Sequence, residues 1–187
     1  MYKEFQVKKA NPNQHRIVKA ESKALGKGEI RVDIDQFAFT ANNLTYAAAG
    51  DSLGYWQFFP ALANDDNTWG IIPVWGFADV VESNHEAIPV GDRLYGYFPP
   101  ATSLIIQPSH VSDRSLVDNS AHRQALPPLY NRYNRVLADS QYDRSTDTAR
   151  ILLAPLHVTS FCLWDQLKSN NYYGAEQIVI VSASSKT

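Results

Sequence analysis

The sequence predicts a mainly β protein with some α: a run of short strands, then one helix, then a strand of the buried, parallel-sheet kind. Three observations predict it. Ile30, Val32 and Ile34 alternate with Arg31, Asp33 and Asp35, the period of two of a half-buried strand. Val158, Phe161, Trp164 and Leu167 recur every three residues, the spacing of one helix face. Ile178-Val179-Ile180-Val181 is apolar without interruption, as in a strand covered on both faces.

Taken in order, Phe5 and Val7 alternate with polar residues, Asn11-Pro12-Asn13 turns the chain, and His15 to Ala20 returns as a second strand. Gly26-Lys27-Gly28 supplies the turn into the strand of residues 30–35. Thr40 is placed to cap a short helix over Asn42 to Tyr46. Residues 52–69 form a loop carrying Tyr55, Trp56, Phe58, Phe59 and Trp69, so much aromatic surface that it must cover a core or line a binding wall. Residues 71–81 read as a strand pair or as one strand broken at Pro73 and Gly76. Gly91-Asp92-Arg93 turns into a strand from Leu94 to Phe98, with Arg93 pairing locally, and Ser103 to Gln107 follows. Residues 109–148, rich in Asp, Arg, Ser and Asn, read as a long excursion with one helix near 128–137. A helix from Val158 to Ser169 then breaks at Tyr172-Tyr173-Gly174.

Composition narrows the function. The chain has 187 residues, 44% hydrophobic, which argues for one to two packed domains and against wholesale disorder. Lys and Arg number 17 against 19 Asp and Glu, so there is no basic footprint for nucleic acid or an anionic membrane surface. No apolar run approaches the ~20 residues of a membrane span, and Met1-Tyr2-Lys3-Glu4 lacks the apolar segment of a signal peptide. The single cysteine, Cys162, excludes an internal disulfide and is read as a small buried hydrophobe in a reducing compartment. A cytoplasmic protein is expected. Its apolar final strand calls for neighbours and a crossover helix, so the chain reads as a truncated piece of a longer protein, ending at the first strand and phosphate turn of a nucleotide-binding domain.

Three segments, in this order, carry a resemblance. They are Gly28 to Ile34 with Asn42-Asn43-Leu44, Pro73 to Val81 with Val90 to Gly96, and Leu156 to Phe161 with Ile178 to Ser185. Together they resemble the zinc-free, quinone-oxidoreductase-like branch of the medium-chain dehydrogenase/reductase superfamily, over about residues 28–107 and 150–187. The resemblance implies a GroES-like β-barrel substrate domain over 1–150, with an insertion at 109–148 that has no family counterpart. Residues 151–187 would supply the linking helix and first strand of a truncated Rossmann domain. It further implies an NADP(H)-dependent oxidoreductase passing hydride to a small-molecule carbonyl, enone or quinone, active only in full-length form. A homodimer is an admissible assembly there. The rival is a non-catalytic GroES-like relative acting as a binding or scaffolding module.

Site residues follow residue by residue. Zinc-dependent members need a loop cysteine and a Gly-His-Glu; Thr40 and Gly76-Phe77-Ala78 stand there instead, so no metal is expected. Asn42 and Tyr46 fall on the loop that faces the family's cleft and would polarise a carbonyl; the alternatives are a capping asparagine and a packing tyrosine. Thr159 matches a threonine near the nicotinamide; its alternative is a helix threonine bonding its own backbone. Ser182, Ser184, Ser185 and Lys186 occupy the phosphate turn, with hydroxyls and charge where the family carries glycines. Of the aromatics Tyr55, Trp56, Phe58, Phe59, Trp69 and Trp75, most should be core and two or three should reach the cleft.

Overall fold

Alternation along the strands decides the architecture of the computed structural model, which describes residues 1–180. β1 (Tyr2–Lys8) and β2 (Asn11–Ala20) form an antiparallel hairpin, and β3 (Ile30–Ala38) follows the Gly26–Gly28 turn. α1 (Ala41–Ala48) starts at Thr40, whose Oγ1 accepts from the Asn42 N–H at 3.3 Å, while Asn43 Oδ1 accepts from the Thr40 N–H at 2.6 Å. That reciprocal capping explains why so short a helix forms. β4 (Trp69–Gly70) and β5 (Val74–Ser83) lie on either side of Pro73, in different sheets, but β5 runs unbroken through Gly76, where a second break was expected.

The remaining strands are β6 (Arg93–Phe98), β7 (Ser103–Ile106), β8 (Pro108–Ser109), β9 (Ser115–Asp118) and β10 (Arg132–Arg135). With β3 and β5 they form an antiparallel seven-stranded sheet in the order β7-β3-β5-β6-β10-β9-β8. Its two edges, β7 and β8, are neighbours in the chain, separated by Gln107, whose carbonyl accepts from the Asn119 N–H at 2.8 Å. The sheet therefore curls into a nearly closed barrel. Inside lie Val32, Ala78, Leu94, Phe98, Ile106 and Leu116, each fully buried. Burying a side chain the size of Leu94 or Phe98 contributes about 1.5–3 kcal/mol.

β6 is buried on both faces. Leu94 and Phe98 point inward, while Arg93, Tyr95 and Tyr97 point out and are covered in turn. Gly96 sits between Leu94 and Phe98 because Tyr133 fills the space: a Cβ there would lie 2.3 Å from the Tyr133 ring.

Three expectations need correction. Residues 109–148 are not a separate excursion; β9 and β10 complete the barrel, and the helix expected near 128–137 is a 3-10 turn (Pro128–Asn131) running into β10. The following helix, α2 (Asp147–Ser169), begins eleven residues before Val158 and crosses the expected domain boundary at 150/151. Its first turns pack on β3 and β5 through Asp147 and Ile151, both buried, and that anchorage carries the helix through Pro155 despite the lost N–H. Finally, Ile178, Val179 and Ile180 are exposed and lie outside any strand among the described residues, because no neighbouring strand covers them. Val181 and the rest of that segment lie outside the described residues.

Candidate functional site

A cleft of about 430 Å³ opens between the outer face of the barrel and the middle of α2. α1 contributes Asn42 and Tyr46, β5 contributes Trp75, and β6 contributes Tyr95. β10 contributes Arg132 and Asn134, the outward residues on either side of the inward Tyr133. The α2 wall runs from Ala154 to Thr159.

The floor is aromatic. Trp75 and Tyr95 stack with centroids 5.8 Å apart and planes inclined by 23°, giving a flat surface. Tyr46 packs 4.7 Å from Tyr55 and meets Tyr97 edge-on at 5.6 Å. Its hydroxyl accepts from Trp75 Nε1 at 3.3 Å, which leaves the phenolic proton available to a ligand. Burial pushes the Tyr46 pKa up, and does the same to Tyr95 and Tyr130, so each stays a neutral donor at ordinary pH. Among the described residues no carboxylate lines the cleft.

The expected residues come together only in part. Asn42, Tyr46 and Thr159 line this one cleft. Asn42 is free of the capping role, which falls to Asn43, and Tyr46 both packs and faces the opening. Thr159 Oγ1 also donates to the Pro155 carbonyl at 3.5 Å, a long contact that leaves its lone pairs open. Ser182, Ser184, Ser185 and Lys186 lie outside the described residues. Of the aromatics singled out earlier, Trp75 reaches the cleft; Trp56, Phe58 and Phe59 are core. The sequence reading missed Tyr95, Tyr130, Arg132 and Asn134. The signal for two of them was the alternation of Arg132-Tyr133-Asn134 around one apolar residue.

Other polar clusters are mostly bonded within the fold, although the buried Asp147 Oδ1 has no partner among the described residues. Arg93, expected to pair locally, is buried and holds Asp79 through two contacts at 2.7 and 2.9 Å, Asp35 at 2.7 Å and Asp147 at 2.7 Å. A bulge in β3 makes this possible. The register steps from Ile34 opposite Ala78 to Gln36 opposite Phe77, so Asp35 is the extra residue and its carboxylate turns to the arginine. Arg123, also fully buried, donates to Asp118, Asn131 and Tyr133 at 2.8–2.9 Å. Thr40 caps α1, and Phe77 is buried beneath Arg93 at 4.9 Å. No group of three or more His, Cys, Asp or Glu among the described residues could hold a metal. Cys162, expected to be buried, is exposed, because α2 leaves the barrel surface before reaching it.

A larger groove, about 630 Å³, runs beside the β1–β2 hairpin past Phe5, Ile17, Phe37, Phe39 and Leu44. Part of its polar lining is already bonded: Glu4 accepts from Tyr2, Gln6 and the Leu62 N–H, and Thr102 Oγ1 accepts from the Lys3 N–H at 3.0 Å. The cleft is smaller but sets several polar side chains around a stacked aromatic floor, and so is the better candidate site. No helix among the described residues is long and apolar enough to cross a membrane.

No curated protein matches the chain. Thirty solved chains are similar to it. CurA from Vibrio vulnificus is one of them, with a TM-score of 0.42 and 11% identity over 58% of this chain and 31% of that one. The chain thus spans less than a third of that relative's length. Residues 37–187 match the family described as "Protein of unknown function (DUF2855)", and the chain belongs to that family.

Proposed function

We propose that the chain forms the acceptor-binding part of an NADP(H)-dependent oxidoreductase that transfers hydride to a carbonyl, enone or quinone. One observation carries this reading. Asn42, Tyr46 and Thr159, singled out for such a reaction, line one cleft although more than a hundred residues separate Tyr46 from Thr159. The nicotinamide, when bound, supplies the hydride. The chain's own residues then have limited work to do. The stacked Trp75 and Tyr95 hold a flat acceptor, and the Tyr46 hydroxyl donates to its carbonyl oxygen. The Asn42 amide adds a second donor at the same oxygen. Thr159, facing the cleft from α2, fits the carboxamide of a nicotinamide ring. Ser182, Ser184, Ser185 and Lys186 would serve the phosphates. The apolar run Ile178-Val179-Ile180 is the sequence feature that favours a Rossmann start. The reaction needs no metal, because Thr40 and Phe77 stand where zinc ligands would.

The test is turnover by the full-length protein, following NADPH consumption with 9,10-phenanthrenequinone and trans-2-hexenal as acceptors. Reduction of either should persist with a chelator present, and Tyr46→Phe should lower kcat/KM about tenfold or more. A protein that neither turns over nor binds NADPH would overturn the proposal and leave the GroES-like binding module as the better reading.

A further inference from the structure

Resting on the reading of the cleft as an acceptor site, we infer that its ligand carries an anionic group and that Arg132 is the residue that selects it. Among the described residues, Arg132 is the one formally charged residue lining the cleft. It is exposed, and among the described residues it takes part in no ion pair, unlike Arg93, Arg123, Arg135 and Arg144. β10 fixes its direction. Tyr133 is locked into the barrel by its hydroxyl, which donates to the Tyr97 carbonyl at 2.7 Å, so its neighbours Arg132 and Asn134 must face outward into the cleft. A second cation stands near: the Arg150 guanidinium lies 5.6 Å from the ring of Tyr95, part of the cleft's flat wall. Among the described residues no carboxylate lines the space, so nothing there cancels the Arg132 charge. A guanidinium left unpaired beside an aromatic floor suits a planar, conjugated molecule ending in a carboxylate, sulfonate or phosphate, which it would hold bidentately. Arg132 and Asn134, with Leu129 and Tyr130, belong to the 109–148 segment, so that segment would set specificity.

The experiment is calorimetric titration of the full-length protein, without dinucleotide, with 2-naphthoate and its neutral counterpart 2-naphthamide. The carboxylate should bind at least tenfold tighter, and the preference should shrink as salt is raised. Arg132→Gln should collapse the ratio below threefold, and Arg132→Lys should retain part of it. Arg114→Gln, an exposed charge on the same segment outside the cleft, should leave the ratio at its original value. Equal affinities, a preference that survives Arg132→Gln, or no binding of either probe would overturn the inference. Because nothing here depends on turnover, the two proposals fail separately. Anion preference without NADPH-driven reduction sinks the enzyme reading alone, and reduction without anion preference sinks this one alone.

Discussion

Arg123 and Arg132 lie nine residues apart on one segment, yet they have opposite environments. Arg123 is fully buried, its guanidinium spread over Asp118, Asn131 and Tyr133 and laid against the rings of Phe58 and Phe59. Arg132 is exposed, unpaired among the described residues, and faces a cleft. The first spends four of its five N–H donors inside the fold; the second makes no side-chain hydrogen bond among the described residues. The difference teaches where to look for function in this chain. Charge that the fold has neutralised holds the barrel together, and charge left unneutralised beside aromatic surface is available for chemistry.

The largest effect should come from the buried side of the comparison. Arg123→Ala strands the Asp118 carboxylate, itself buried, and removes a donor from Tyr133. A loss of about 3–5 kcal/mol is expected in urea denaturation, since breaking a buried pair leaves an uncompensated charge. Arg132→Ala should stay within about 0.5 kcal/mol of the parent. Similar losses for the two would break the comparison.

Asp35 sharpens it, because it is intermediate: half-exposed, yet bonded to the buried Arg93. The hydrogen bond from Arg93 holds its carboxyl below the ordinary value of 3.8, with Arg144 adding to the effect against burial. A lowered pKa means that the folded state favours the charged form. Its contribution is therefore present above pH ~3.8 and is lost as pH falls below that value. Asp35→Asn should cost less than about 1 kcal/mol at neutral pH, and the gap from the parent should close on acidification. A gap that stays constant down to strongly acid pH would mean that the Asp35 charge contributes nothing.

How much of this was legible depended on the length and locality of each signal. The Ile30 to Asp35 strand is nine residues long in the fold and its alternation is strict at the start, so it could be read directly. Thr40 announced its cap because capping is decided within three residues. β9 and β10 could not be read, since four-residue strands such as Arg132-Tyr133-Asn134-Arg135 offer only one apolar residue to set a period. The start of α2 was hidden because its anchor is Asp147, a charged residue whose burial depends on Arg93, 54 positions earlier. Asn42, Tyr46 and Thr159 were found through a resemblance. Arg132 was missed because its significance is the absence of a partner, which only the folded chain displays.

If the proposals hold, the cleft and no other surface receives the ligand. The protein's four tryptophans provide separate reporters. Trp75 lines the cleft, Trp56 and Trp69 line a different cavity beside Lys9 and His122, and Trp164 is exposed on α2. In a nitrogen–proton correlation spectrum, titrated 2-naphthoate should move the Trp75 indole resonance, whose N–H is held by Tyr46, and leave the other three in place. Movement of Trp56, Trp69 or Trp164 with Trp75 unchanged would contradict the account.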